Sequence, residues 1–497
     1  MGENNIDARL PIIFVALTVL LKLPFLLTHH IQEDAFITWR VAQNLLDYGV
    51  AGFNGPIKIS ASTTHLYMFV SFLFNVIFGK ANFIYPLLVF NSTLFTIGSY
   101  FLSRMILKKP VHQALFILLF GFLPPAIRVS ILGMEYGLLF FLEMGFLYYA
   151  FFRNKTWAVW IFPVLILFTR LDTVIFLGII FIVDTVWNKK IRWNYVVSGA
   201  LGLGLLISFN WFYFGELVNN TIVAKKLAYY RGYGFGERIA LFFRNFGNFF
   251  GMLKMPGNFN PYTILVLLFE IACFYALVRQ KDKRNFFLII IFAFAWIKQS
   301  IFLYELSYFD WYYWVPQLLL FASVIVFILE QEKRKYLWGA LFLLFYVLPM
   351  LLFQMVHSIA TGNGEWNYRR EIGLFLGKYE KDKNQWIFLE PAGFVPYYSG
   401  LRTIDEVGLV DKGVQQEMIK DKKDYWFNTV KDRKPKYILV YRDLYQDPKH
   451  AEYYQEHYKL IKEFRVKDHL SSPYKIIETI YKLKPSGSDY NLYQKVK

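Results

Sequence analysis

Twelve runs of mostly apolar residues, separated by short polar connectors, recur from Pro11 to about residue 356. A helix needs about 20 such residues to cross the hydrocarbon core of a bilayer, where every backbone N–H and C=O must be paired within the segment. The runs therefore point to α-helices packed in lipid. Composition agrees, because 56% of the 497 residues are apolar and only 18% are charged. No single water-soluble core hides that much apolar surface, and the same balance excludes a disordered or collagen-like chain. One cysteine, Cys273, excludes an intrachain disulfide framework.

Lys/Arg-rich connectors mark the cytoplasmic face. The strongest are Lys108/Lys109, Arg153/Lys155, Lys189/Lys190/Arg192, the run Arg279 to Arg284, and Lys333/Arg334/Lys335. The formal net charge of +17 is thus expected to meet lipid headgroups, with no nucleic-acid partner. No small-x-small pattern follows the first run, Pro11 to Thr28, so it reads as an uncleaved anchor. Outward hairpins then pair 112 to 127 with 135 to 152, 157 to 169 with 173 to 187, 194 to 214 with 260 to 278, and 286 to 304 with 313 to 329. A last helix, 337 to 356, leads outward, and the short run 64 to 79 is expected partly in the interface. The fold class expected is a polytopic α-helical membrane protein with about 11 to 13 transmembrane helices and a C-terminal soluble α/β or α+β domain.

Two domains are expected, 1–357 in the membrane and 358–497 outside the cytoplasm. In the second, Trp386 to Leu389, Tyr437 to Tyr441, Leu460 to Val466 and Ile476 to Tyr481 read as strands, and Gly413 to Lys423 as a helix. In this topology the acids near membrane runs gather at the outward tips: Glu33/Asp34, Glu135, Asp172, Glu216, Glu305 and Asp310. Ionisable groups at membrane depth are costly and usually face a wet cavity, so a carboxylate-lined cleft is one reading. Ordinary solvated loop acids are the other.

The first outer loop, HHIQEDAFITWRVAQNLLDYGVAGFN from His29 to Asn54, is the most informative segment. Ala35 to Leu46 reads as an amphipathic helix lying in the interface, which puts the adjacent acids Glu33 and Asp34 beside lipid. Adjacent carboxylates can divide labour, one neutral and one a general base. A helix N-cap is the alternative.

EDAFITWRVAQNLLDYGVAGFN, followed by ASTTHLYMF, resembles the D-D-A-[FY]-I-x-x-R-x-x-x-N-L-x-x-G-x-G-x-x-x-N segment of GT-C glycosyltransferases that use polyprenyl-phosphate sugars. It is similar to that of the mycobacterial terminal β-(1→2)-arabinofuranosyltransferases. Four further segments match in the family's order: LGMEYGLLFF, LFTRLDTVIF, NWFYFGELVNNTIVAKK and GFVPYYSGLRTIDEVGLVD. Two departures stand out, Glu33 where the family has Asp, and Asn219 where it has proline.

The resemblance implies an inverting transfer of a sugar, such as a pentofuranose, from a polyprenyl phosphate to a hydroxyl of a cell-envelope glycan, lipid or protein. The setting it implies is the outer face of the plasma (inner) membrane. Glu33 or Asp34 would be the base. Lys225 and Lys226, with Arg128, Arg170 and Arg231, would meet the lipid phosphate. Glu135 and Asp172 would orient sugar hydroxyls, bind an ion or pair with Arg128 and Arg170, the last being the reading preferred for Asp172. Carboxylates suit a divalent cation, although no ligand spacing demands one. His29, His30 and His65 read as interface histidines, and the aromatic tip Tyr304 to Trp314 as a membrane belt. A lipid-linked sugar flippase is the competing class, but it needs neither the acidic pair nor a large soluble domain. Alkaline phosphatase fused after the last residue should be active in a bacterial host; activity of a cytoplasmic reporter at the same junction would overturn this sidedness.

Overall fold

Backbone pairing in lipid is met here by helices throughout the apolar runs. The computed structural model describes residues 3–229, 232–240, 261–280, 282–304, 309–331, 335–482 and 485–496. Among the described residues, seven helices are long and apolar enough to cross a bilayer: Arg9–Leu26, Ile84–Ile106, Leu171–Asn188, Trp193–Phe214, Asn285–Phe302, Trp311–Glu330 and Leu337–Tyr379. Four more apolar helices, His65–Phe78, Tyr136–Phe152, Thr156–Thr169 and Leu265–Val278, are shorter. The run expected as one helix from 112 to 127 is broken into Pro110–Gly121 and Pro124–Ile131, bent by 77°. The cause is local: Pro124 and Pro125 lack N–H donors and clash with a preceding helical turn.

Contacts divide the chain into two compact units. The first comprises Met1–Leu26, Tyr85–Leu206 and Gly232–Met355. Its central element is Trp311–Glu330, buried along nearly its whole length and packed on Pro110–Gly121, Pro124–Ile131, Pro261–Val278 and Asn285–Tyr304. Elsewhere in this unit, Asn91 donates to the Met134 carbonyl at 2.9 Å and accepts from the Leu138 N–H at 3.0 Å, pairing groups left open at a helix start.

The second unit comprises Leu27–Ile84, Ile207–Arg231 and Val356–Lys497. It contains a five-stranded mixed sheet, β1 Trp386–Leu389, β2 Arg402–Asp405, β3 Tyr437–Val440, β4 Tyr458–Phe464 and β5 Tyr490–Lys495, in the order β2-β1-β3-β5-β4. The first three strands are parallel, and β5 runs antiparallel to β3 and β4. Alternation puts Ile387, Leu389 and Leu439 on one face against Tyr368, Ile372 and Leu376. On the other face Phe388, Ile438 and Val440 pack against Val414, Met418 and Trp426. Helices cover both faces, so the domain is α/β in its first half.

Three expectations change. Helical structure continues from Leu348 through to Tyr379, past the change of pattern read near 358. Ile476 to Tyr481 is not a strand but the end of the helix Ser472–Tyr481, which starts with Pro473 in its first turn and the Ser471 hydroxyl accepting from the Tyr474 N–H. The amphipathic segment after the acidic pair forms the helix Glu33–Tyr48, but every residue from Ala35 to Ala42 is buried. Instead of facing lipid it packs one side on the loop from Ala51 to Ala61 and sets Phe36 against Phe394, with ring centroids 3.9 Å apart.

Arg40 lies inside this packing. Its Nε donates to the Phe53 carbonyl at 2.9 Å, Nη2 to the Leu401 carbonyl at 2.6 Å, and Nη1 to the Pro396 carbonyl. One guanidinium thus joins the loop after the helix to the segment between β1 and β2. Arg40→Met would strand three buried carbonyls at about 1–3 kcal/mol each, so the thermal midpoint of detergent-purified protein should drop by several degrees. An unchanged midpoint would show that the three bonds do not stabilise the unit.

Candidate active site

A helix N-terminus attracts carboxylates, and the pair Glu33-Asp34 opens the helix Glu33–Tyr48. The two side chains have different partners. Glu33 Oε1 accepts from the Gly393 N–H at 2.7 Å and the Phe394 N–H at 2.9 Å, while Oε2 pairs with Arg369 Nη1 at 3.0 Å. Arg369 also donates to both oxygens of Glu365 at 3.1 Å. Asp34, a quarter exposed, lies 3.6 Å from Lys225 Nζ. Glu33 is therefore held by main chain, whereas Asp34 faces a cation at the edge of solvent.

The NNTIVAKK segment explains how Lys225 arrives there. Asn219 Nδ2 donates to Ser60 Oγ at 2.9 Å, and Asn220 Nδ2 donates to the Leu409 carbonyl at 2.8 Å. The helix Asn220–Tyr229 begins between these anchors and presents Lys225 towards Asp34, with Lys226 exposed. Asn219 also contacts Asn210 and His65. His65 Nε2 meets Asn210 Oδ1 at 2.8 Å, His30 meets Ser358, and His29 stacks on Trp366. All three histidines are used in packing contacts. Among the described residues no group of three or more His, Cys, Asp and Glu side chains is arranged to hold a metal ion.

Further acids border the same unit's sheet. Parallel β1 and β2 end at Leu389 and Asp405, so Glu390 and Glu406 follow at matching positions. Glu390 accepts from Tyr490 Oη at 3.4 Å, and Glu406 from Trp426 Nε1 at 3.2 Å. Burial, and then the charge of Glu390, push the Glu406 carboxyl up to about 7. The Tyr229 phenol is raised by burial and by the fields of Glu390, Asp34, Glu406 and Asp405.

Arg128, Glu135, Arg170 and Asp172 lie in the other unit. Arg170 Nε pairs with Asp172 at 2.7 Å and Nη1 with Glu135, between the rings of Tyr136 and Tyr312, each 5.2 Å from the guanidinium carbon. Lys298 completes the cluster, 3.1 Å from Asp172. Arg128 Nε donates to Gln354 at 2.9 Å. Arg231 and Glu305 lie outside the described residues. The structure thus gathers Glu33, Asp34 and Lys225 in one cluster and Arg170, Glu135 and Asp172 in another.

Arg369, Glu365 and Lys298 are further members of these clusters that the motifs do not mark. A Glu365–Arg369 pair four residues apart looks like any exposed helix pair, whereas a lone lysine within AWIKQS was a usable signal.

Two solved structures share this architecture. The Archaeoglobus fulgidus oligosaccharyltransferase, in its apo form, superposes with a TM-score of 0.55 at 11% identity, covering 97% of this chain and 88% of that one. ArnT from Cupriavidus metallidurans, also apo, gives a TM-score of 0.55 at 13% identity over 87% of this chain and 93% of that one. The fold is therefore that of a GT-C-type polytopic membrane protein. Residues 357–493 match the model of a domain of unknown function, DUF8728. No curated protein sequence matches the chain.

A Cβ on Gly393 would meet the Glu33 backbone oxygen at 2.3 Å and Oε1 at 2.6 Å. Gly393→Ala and Glu33→Gln should therefore each lower unfolding stability and combine less than additively, with a coupling of about 1 kcal/mol or more in a double-mutant cycle. Strict additivity would mean that Glu33 does not hold the Gly393 turn in solution.

Proposed function

We propose that the chain is an inverting glycosyltransferase that moves a sugar from a polyprenyl phosphate to a hydroxyl of an envelope glycan, lipid or protein. The observation that carries this reading is the division of labour in the acidic pair: Glu33 is engaged by two main-chain N–H groups and Arg369, and Asp34 stays accessible 3.6 Å from Lys225. A fold shared with an oligosaccharyltransferase and with ArnT supports the same class. The motif likeness favours a pentofuranose such as arabinofuranose as the sugar.

In this mechanism Asp34 takes the acceptor proton as the acceptor oxygen forms its bond to the anomeric carbon. The bond from that carbon to the phosphate oxygen breaks, and the lipid phosphate leaves with the electron pair. Lys225 meets the developing charge, with exposed Lys226 in reserve. One displacement inverts the anomeric centre. Glu33 acts as a positioning residue that ties the Gly393 turn to the start of the helix that carries Asp34. The roles proposed for Arg170, Glu135 and Asp172 are structural, since two of the Arg170 nitrogens already pair with carboxylates. The domain reading that accompanies this mechanism is a membrane catalytic region, 1–357, and an extracytoplasmic domain, 358–497, in the inner membrane.

Purified protein offered a panel of polyprenyl-phosphate sugars should release free lipid phosphate with at least one of them. Asp34→Asn should cut turnover by about 10²-fold or more, and Lys225→Gln should weaken donor binding about tenfold to 100-fold. Full activity in Asp34→Asn, alongside a large loss of turnover in a stably folded Glu33→Gln, would move the base to Glu33. Transport of the lipid-linked sugar without release of lipid phosphate would favour the flippase class.

A further inference from the structure

The first unit contains a cavity of about 670 Å³ that uses none of the residues assigned to sugar transfer. It opens among the ends of Ile84–Ile106 and Val174–Asn188 and the starts of Pro110–Gly121 and Asn285–Tyr304. These are the helix ends next to the basic connectors.

Its charges do not balance. Arg104, Lys108, Arg192, Lys283 and Arg284 line it against two acids, Asp184 and Asp282. Lys108 pairs with Asp282 at 2.5 Å, Arg192 with Asp184 at 3.0 Å, and Arg284 with Glu330 just outside the lining. Two cations remain. Among the described residues Lys283 forms no ion pair, and Arg104 reaches only a long 3.4 Å contact from Nη1 to Gln113. The Arg104 Nε is buried without an acceptor among the described residues. A buried N–H of a charged group is costly to leave unpaired, so an acceptor from outside the chain would complete this lining.

The walls narrow the chemistry of that acceptor. Phe151, Phe152, Trp187, Phe286 and Phe287 form an apolar side, and the amides of Asn154 and Asn188 a polar one. Guanidinium forks match phosphate oxygens, and basic pockets between membrane helices suit anionic headgroups. We propose that the cavity is a phosphate-binding site, filled by the headgroup of an anionic glycerophospholipid or by a free phosphate of similar size.

Native mass spectrometry of the full-length protein tests this with phosphatidylglycerol, phosphatidylcholine and pyrophosphate as probes. Phosphatidylglycerol should be retained and phosphatidylcholine lost. Arg104→Gln should weaken that retention about tenfold to 100-fold. Lys283→Gln, on the exposed edge and harmless to folding, should weaken it about fivefold, which keeps the test decisive if Arg104→Gln fails to fold. Pyrophosphate binding with the same sensitivity to these substitutions would support the site and assign it to free phosphate. Equal retention of both lipids with no pyrophosphate bound, or binding unaffected by Lys283→Gln, would overturn the proposal.

Discussion

Glu33 holds the second unit together at its most demanding point, because one carboxylate answers donors from two distant parts of the chain. Its oxygens accept from the Gly393 and Phe394 N–H groups and pair with Arg369. The turn leaving β1 would otherwise leave those N–H groups unpaired in a half-buried position, and an unmet buried donor costs about 1–3 kcal/mol. A carboxylate meeting them is a charge-assisted contact, roughly twice as strong as a neutral one. Gly393 is required there by space, since any Cβ would strike Glu33 itself.

The same economy explains the long polar side chains around the helix Glu33–Tyr48. Arg40 and Asn44 bond backbone groups of irregular segments that have no ladder of their own, and Asn54 bonds the open edge of β2. Asn54 is the clearest case, donating to the Thr403 carbonyl at 2.9 Å and accepting from the Thr403 N–H at 2.8 Å, as a neighbouring strand would. Arg40, Asn44 and Asn54 thus brace backbone on and beside the helix that carries Asp34, which the proposed chemistry uses.

The first unit answers a different constraint. Charges among apolar helices are costly unless paired, and Arg170, Glu135, Asp172 and Lys298 form one connected cluster. Removing any one member would leave another charge uncompensated, at about 3–5 kcal/mol by analogy with buried pairs in soluble proteins. The cavity beside Arg104 is lined by more cations than acids among the described residues, so its surplus is cationic.

Period and composition made the membrane helices, the soluble C-terminal segment and three of its strands legible, since apolar runs and alternation are local properties of the chain. The strands β2 and β5 escaped notice because RTID and YNLYQK are short and half polar, and they become strands by pairing with β1 and β3. Ile476 to Tyr481 misled for the same reason, its β-branched residues outweighing the Ser471 cap until tertiary packing chose the helix. The acidic pair could be found from sequence, but not which member is held by main chain. That depended on Gly393, Phe394 and Arg369, more than 300 residues away, and only folding brings their donors to Glu33 and leaves Asp34 beside Lys225.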